Sequence, residues 1–205
     1  MQRELELMNL KSEKSLVRHI FDESSEKRII DLSTASISEV DIPSNFNDKS
    51  FFPKQSLDLN SVSEILSIDL KKLGANSDYI KKTIPGVCEA IKNAYEHGNL
   101  ENGSKKITFA QLLSNKKVEF LVGDEGLTIN SSFLPYVLLM RQKDVGKFYE
   151  NVPNFYSFCG DLFAPKGHSG IGTKTMNLCF NKVHYYRKKD EGLLVHLEKP
   201  FDLSQ

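Results

Sequence analysis

The sequence predicts an α/β protein, because helical and hairpin patterns follow one another along the chain. Residues 62–73 and 80–94 carry apolar side chains at the three- and four-residue steps of amphipathic helices. Residues 105–122 and 182–198 each hold two short apolar segments separated by a polar turn, which is the spacing of a β-hairpin. We therefore expect helices and hairpin-paired strands in one structure.

The composition is that of an ordinary soluble globular protein. The chain has 205 residues, about one domain or a domain with an extension, and is 40% hydrophobic and 26% charged. Basic and acidic residues number 27 each, so the charge balance indicates neither a nucleic-acid nor a membrane partner. The three cysteines lack metal-ligand spacing and favour buried thiols in a reducing compartment. We find no signal segment and no run of 18 apolar residues, and we expect a cytoplasmic protein.

The first part of the chain has the least regular pattern. Scattered apolar residues near the start allow one or two short helices, and residues 28–32 favour a strand. Two polar stretches, residues 33–38 and 43–49, are typical of connectors. We predict an N-terminal extension over residues 1–48, either an interaction arm or a solvated tail. One domain over residues 49–205 follows it.

A strand and the first amphipathic helix are expected next. Residues 51–59 contain phenylalanine, leucine and a proline, a composition compatible with an edge strand. Asn60 or Ser61 then offers an N-cap for the helix, with Glu64 at the offset of a capping box. Gly74 supplies the C-terminal stop.

The second amphipathic helix has its own boundary signals. Asn76 or Ser77 offers its N-cap, and Gly98 marks its C-terminal end. Pro85 falls inside the apolar pattern, so we expect a kink or a late start at that position.

One polar stripe on this helix combines three different functional groups. At about 100° per residue, Glu89, Asn93 and His97 fall opposite the apolar face. Every amphipathic helix has a polar outer face, so the stripe also has a purely structural interpretation. An amide oxygen nevertheless suits Mg²⁺, which keeps several waters and takes further ligands from phosphates. Asn93 is therefore a candidate metal ligand, and Glu89 is a candidate to orient or deprotonate a nucleophile.

Two glycine motifs follow the helix. The strand at 117–122 runs into Gly123, Asp124 and Gly126, where the aspartate would meet a ligand's amine and glycine permits close approach. Such residues also mark ordinary turns, which is the structural alternative. After a helix expected at residues 133–140, the glycine-rich loop 166–173 enters another helix. Unpaired N–H groups at such a helix start favour phosphate, although a structural turn is the commoner cause.

The order of these motifs resembles that of a known superfamily. The spacing Glu89-x₃-Asn93-x₃-His97-Gly98 is similar to the N-box of the GHKL ATPases, which include gyrase and the sensor histidine kinases. Gly123-Asp124-x-Gly126 resembles their first glycine box, and His-Ser-Gly-Ile-Gly-Thr at 168–173 resembles the second. Within the superfamily the motifs are most similar to the anti-sigma-factor serine kinases, over about residues 50–199.

The resemblance implies a fold and a nucleotide site. The fold would be an α/β sandwich with a mixed, mainly antiparallel sheet and helices packed on one face. The cofactors would be ATP and Mg²⁺, with Glu89 as catalytic carboxylate, Asn93 as metal ligand and Asp124 as acceptor for the adenine amino group. The implied cofactor-binding residues are Asn93, His97, Asp124, Gly126, Thr128, Gly170, Ile171, Gly172 and Thr173.

The sequence departs from the family pattern at three places. Thr128 stands where a second glycine is usual in the first box. The last strand carries Leu194 in a region where a threonine near the adenine is expected. The segment between the two boxes, about residues 131–166, is longer than in compact members.

The resemblance also implies partners. Relatives in this branch bind a sigma factor as homodimers and phosphorylate a serine on an antagonist protein, without direct contact to nucleic acid or membrane. The leading hypothesis is therefore a regulatory protein-serine kinase. A non-catalytic module that senses nucleotide, or binds only partners, is the first alternative. The ATPase half of a histidine kinase is the second, and His19 is its only candidate phosphoacceptor.

Overall fold

The computed structural model describes residues 29–31, 39–54, 56–126, 128–130, 171–188 and 192–201. These residues form helices and a mixed six-stranded sheet. The strands in their order across the sheet are β2 (Glu39–Val40), β7 (Lys182–Lys188), β8 (Leu193–Pro200), β5 (Lys117–Gly123), β4 (Thr108–Leu113) and β3 (Asn47–Asp48). Neighbouring strands are antiparallel except for the parallel pair β2–β7.

Both predicted hairpins are confirmed. Strands β4 and β5 pair from Thr108 opposite Gly123 through the tight turn after Leu113, and β7 pairs with β8. The hydroxyl of Ser114 accepts from the backbone N–H of Lys117 and stabilises the first turn. The strand expected at 28–32 is also present: β1 (Ile29–Asp31) pairs with β6 (Thr128–Asn130) in a separate two-stranded sheet.

The first helix, α1 (Leu59–Leu73), begins earlier than the sequence suggested. Its N-cap is Asp58, whose Oδ1 accepts from the backbone N–H groups of Asn60 and Ser61, so the expected caps and the Glu64 capping box are wrong. Asp58 is the N-cap because its carboxylate accepts from these two N–H groups and also from the Ser61 hydroxyl, at 2.6 Å. Gly74 ends the helix at φ 97°, as predicted.

The edge strand expected over residues 51–59 is wrong as well. Phe51 forms only an isolated bridge with Ile107, and the edge of the sheet next to β4 is the shorter strand β3. The proline at position 53 cannot donate to a ladder, and α1 already begins at Leu59.

The second amphipathic stretch divides into three pieces. Helix α2 (Ser77–Lys81) is capped by Asn76, which accepts from the backbone N–H of Tyr79. Helix α3 (Ile84–Asn93) starts late, with Pro85 in its first turn, as the sequence predicted. It continues into the π-helical turn Ala94–Gly98, which ends at Gly98 as predicted.

Helix α4 (Ile171–Cys179) packs antiparallel against α3, and glycines permit the close approach. A β-carbon on Gly86 of α3 would lie 2.7 Å from the β-carbon of Cys179. Cys179 and Cys88 are half-buried free thiols, and burial raises the pKa of both. Cys159 lies outside the described residues.

The main core lies between the helices and one face of the sheet, as the mixed α/β architecture requires. Helices α1, α3 and α4 contribute to it together with inward-facing residues of the strands. Among its fully buried members are Leu66, Leu70, Val87, Ile91, Met176, Phe120 and Leu197.

The opposite face of the sheet carries a second apolar cluster. Its buried residues are Ala110, Leu121 and Leu194. They are covered by the segment 39–48, which we call the strap because it joins the two edge strands β2 and β3 across this face. Val40, Ile42, Phe46 and Tyr186 complete the cluster.

The strap ends directly before the domain boundary expected at residue 49. Its short strands belong to the six-stranded sheet, and the division into an extension and a domain stays a prediction. None of the described helices combines the length and the apolar character that a bilayer-spanning segment needs. The cytoplasmic location likewise stays a prediction.

Candidate functional site

Three of the predicted site residues meet at the start of the last described helix. Gly172, in the first turn of α4, lies against Glu89 and Asn93 of α3. A β-carbon on Gly172 would lie 2.7 Å from Oε2 of Glu89 and 3.4 Å from both Nδ2 and Oδ1 of Asn93. Both polar side chains are half-buried. The antiparallel packing of α3 and α4 thus places a carboxylate and an amide beside a helix N-terminus.

Asp124 is the buried acidic group of the site. It follows β5 directly and is 6% exposed. Its Oδ1 accepts hydrogen bonds from the backbone N–H groups of Gly126 at 2.8 Å and Leu193 at 3.1 Å. Burial raises the pKa of Asp124 to about 6, although these hydrogen bonds and the charges of Lys188 and Lys105 oppose the shift. The carboxylate therefore remains ionised at neutral pH, at a cost in folding free energy.

Three glycines surround Asp124 at van der Waals distance. A β-carbon on Gly98 would lie 2.2 Å from Oδ2 of Asp124, and one on Gly192 would lie 1.9 Å from its backbone oxygen. A β-carbon on Gly126 would lie 2.5 Å from the carbonyl oxygen of Gly98. The end of the π-helical turn, the loop after β5 and the β7–β8 turn therefore converge on one carboxylate.

Two residues that the sequence interpretation did not select also hold this region. The ammonium group of Lys188 donates to the backbone oxygen of Asp124 and to the hydroxyl of Thr108, at 3.2 Å each. The side chain of Asn99 is completely buried. It donates a hydrogen bond to Lys106, in the loop at residues 100–106, and accepts one from Glu125, in the loop at residues 124–126. Asn99 directly follows the His-Gly pair of the N-box-like motif, and this position was the only sequence signal for it.

The π-helical turn separates the two halves of the site along the chain. Asn93 precedes it and Gly98 closes it, so both halves are connected by one wide helical turn. Such insertions are frequent at functional sites, because they change which side chains face a ligand. His97 lies within this turn and is exposed.

The remaining predicted site residues have the following locations. Thr128 belongs to β6 and pairs with Asp31, while Ile171 and Thr173 belong to the first turn of α4. Gly170 lies outside the described residues, as do the helix expected at 133–140 and His19. Leu194, which stands in a region where a threonine was expected, is fully buried in the cluster beneath the strap.

A separate group of potential metal ligands lies on the strap side of the sheet. Oxygens of Glu119 and Glu198 and a ring nitrogen of His196 lie within 4.8 Å of one another. Lys117 bridges both carboxylates at 2.9 and 3.1 Å, and Lys182 donates to Glu198 at 2.5 Å. Two ammonium groups thus balance two carboxylates, and we interpret the group as an ion-pair network.

A groove on the described surface has a lining separate from these residues. It has a volume of about 300 Å³, lies between α1 and the chain before it, and contains none of the predicted site residues. Its walls are mainly apolar and are formed by Lys49, Phe51, Phe52, Pro53, Ser56, Asp58, Ser61, Val62, Ile65 and Phe109.

The comparisons with known proteins leave the site to be interpreted from its own chemistry. No protein-family model matches the chain, and no curated protein sequence matches it. Chemically, the arrangement offers a buried anionic acceptor at one end. It offers a carboxylate, an amide oxygen and a helix N-terminus at the other.

Proposed function

We propose that the protein is an ATP-binding regulatory serine-protein kinase of the anti-sigma-factor type, with a GHKL-like fold. It would bind a protein partner, act as a homodimer and phosphorylate a serine on an antagonist protein. The observation that carries the proposal is the contact of Gly172 with both Glu89 and Asn93. Residues from two separate motifs, about 80 positions apart in the sequence, meet where the proposal needs them.

The Asp124 end supports recognition of a purine base. Both hydrogen bonds from the described backbone end on Oδ1, so Oδ2 is the oxygen available to an exocyclic amino group. A charged acceptor in a buried site forms a stronger hydrogen bond than a neutral one. Gly98 and Gly126 lie against the carboxylate without side chains, so a flat base could approach.

The other end supports binding of phosphates and a metal ion. Asn93 would supply an oxygen ligand to Mg²⁺, which takes most of its other ligands from water and phosphate. When bound, the ion would offset negative charge on the transferred phosphoryl group. The N-terminus of α4, with Gly172 in its first turn, would present backbone N–H groups to the phosphates.

Glu89 is the group that would act in phosphoryl transfer. Its carboxylate would accept the proton of a serine hydroxyl while the serine oxygen attacks the γ-phosphorus. The bond between that phosphorus and the leaving oxygen of ADP then breaks. The half-buried position of Glu89 beside Asn93 is compatible with this role.

One observation favours the non-catalytic alternative. The Glu89 carboxylate lies at the N-terminus of α4, where a negative charge is stabilised by the helix dipole without any ligand. Glu89 could therefore hold α4 against α3 in a module that senses nucleotide, or binds only partners, and transfers no phosphate.

Nucleotide binding is the first test of the proposal. Titration calorimetry with Mg-ATP and Mg-ADP should give measurable heats, and millimolar nucleotide should raise the melting temperature. If neither nucleotide binds or stabilises the protein, the nucleotide site is excluded.

The second test separates the kinase from the sensing module. Glu89→Gln keeps the shape and hydrogen bonding of the side chain but removes its charge, so ATP should still bind. Transfer of labelled phosphate to candidate partners encoded nearby should fall by roughly 10²–10⁴-fold, the usual contribution of a general base. Equal transfer by both proteins would remove Glu89 from catalysis. Binding without transfer by the wild type would favour the sensing module.

A further inference from the structure

The side chain of Asn99 is completely buried, and both its oxygen and its nitrogen form hydrogen bonds. Its Oδ1 accepts from the backbone N–H of Glu125 at 2.8 Å, and its Nδ2 donates to the carbonyl of Lys106 at 3.1 Å. Its own backbone N–H donates to the carbonyl of Ala94 at 2.8 Å and closes the π-helical turn. One residue therefore connects the π-helical turn, the loop at residues 100–106 and the loop that follows β5.

The loop after β5 is fixed to the same segment by two further contacts. The backbone N–H of Lys106 donates to Oε2 of Glu125 at 2.7 Å, and the ammonium group of Lys105 donates to its carbonyl at 3.2 Å. Glu125 is the residue between Asp124 and Gly126, so these contacts hold the chain on the C-terminal side of Asp124.

The backbone next to Asn99 is held in an unfavourable conformation. Leu100 and Glu101 have φ angles of 54° and 58°, which side-chain-bearing residues rarely adopt. Such a conformation is unfavourable and persists only where surrounding contacts fix it. Here the N–H of Glu101 donates to the carbonyl of Tyr95, and that of Asn102 donates to the carbonyl of Asn99.

We propose that Asn99 is a positioning residue that sets the location of the Asp124 carboxylate and thereby the preference of the site for adenine. This inference rests on the proposed nucleotide-binding function. Asn99 does not act on the ligand itself, because its side chain is completely buried between Glu125 and Lys106. It acts by holding the loop, whose displacement by about 1 Å would misalign the acceptor with a base.

The test compares two variants of Asn99 with a matched control. Asn99→Ala removes both hydrogen bonds, and Asn99→Asp keeps an acceptor for Glu125 while losing the donor to Lys106. Gln111→Ala removes another buried amide, one that donates to Asp69 of α1 on the helix side of the sheet. All four full-length proteins are titrated with Mg-ATP and Mg-GTP, and their stabilities are measured by urea unfolding without nucleotide.

The ratio of ATP to GTP affinity is the decisive measurement. It should fall about tenfold in Asn99→Ala, or about 1.4 kcal/mol, and should be largely kept in Asn99→Asp. Gln111→Ala should lose stability and keep the ratio. An unchanged ratio in a folded Asn99→Ala, or an equal loss in Gln111→Ala, would overturn the inference.

A second measurement needs no nucleotide. The pKa of Asp124, measured by carboxyl-carbon NMR, should fall toward that of an ordinary aspartate in Asn99→Ala, because the displaced loop admits water. Lys188 and Lys105, the two cations that act on this carboxylate, are unchanged in the variant. If wild type binds no nucleotide but the titration moves, the proposed function fails and the positioning role stands. If the titration does not move, the positioning role fails.

Discussion

Gly98 and Asp124 are in such close contact that a β-carbon on the glycine would lie 2.2 Å from the carboxylate. The contact joins the last residue of the π-helical turn to the first residue after β5. Any residue other than glycine at position 98 must displace the group that we propose to recognise the base.

Gly98→Ala should impair base recognition and stability together. The added methyl group would overlap Asp124, and relief of such overpacking costs about 1–3 kcal/mol. We expect the preference for ATP over GTP to be lost, as measured by calorimetry. Gly103→Ala, which overpacks against the backbone of Lys54 instead, is the control and should lose stability alone. A variant with intact preference would show that Asp124 does not select the base.

Asp124→Asn should make the protein more stable above pH 6. The pKa of Asp124 is raised to about 6 by burial, so the folded state holds the proton more tightly than the unfolded state. Ionisation therefore removes stability as the pH rises from about 4 to 6, by about 3 kcal/mol at 1.36 kcal/mol per unit. The amide avoids this cost and can still accept from Gly126 and Leu193. The variant should match wild type near pH 4 and exceed it at pH 7.

Urea unfolding between pH 4 and pH 8 measures this difference, and calorimetry should show weaker selection of ATP by the same variant. Asp69→Asn is the control of opposite sign. Burial acts to raise the pKa of Asp69, but hydrogen bonds from Lys49 and Gln111 outweigh it and lower the pKa. That variant should lose stability at pH 7. A less stable Asp124→Asn protein at pH 7 would contradict the interpretation that ionised Asp124 lowers the stability of the fold.

Asn93→Ala should abolish the effect of Mg²⁺ on nucleotide binding and leave the fold intact. The side chain is half-buried beside Gly172, so its removal opens no core cavity and should change stability by less than about 1 kcal/mol. ATP affinity measured with Mg²⁺ and with chelator should become equal. Lys92→Ala, one position earlier, should retain the difference. An unfolded Asn93→Ala protein would show that the amide is structural.

Phe46→Ala should test whether the strap stabilises the sheet. Phe46 is half-buried against the cluster of Leu121 and Leu194, and its ring meets that of His196 edge to face at 6.3 Å. We expect a loss of about 2 kcal/mol, less than the 3–5 kcal/mol of a fully buried phenylalanine. Phe52→Ala, at a side chain 54% exposed, should change stability little. Equal effects in urea unfolding would argue against a stabilising strap.

The sequence by itself determined the features that depend on neighbours along the chain. Helical periodicity predicted α1 and α3, and alternation and turn spacing predicted both hairpins. Gly74 ends α1 and Pro85 lies in the first turn of α3, as local backbone rules predict. It also selected Glu89, Asn93 and Asp124 as candidate functional residues. These predictions needed only interactions within a few residues, which the sequence states directly.

The tertiary structure decided everything that depends on which distant groups meet. Only the antiparallel packing of α3 and α4 brings Gly172 against Glu89, and only the meeting of three loops buries Asp124 and Asn99. Residues 43–48 of the strap were predicted to be polar connector, because the single apolar side chain of Phe46 in this segment carries no period. Burial, the raised pKa of Asp124 and the distances in the site arise from long-range packing, which removes water in ways that local patterns do not encode.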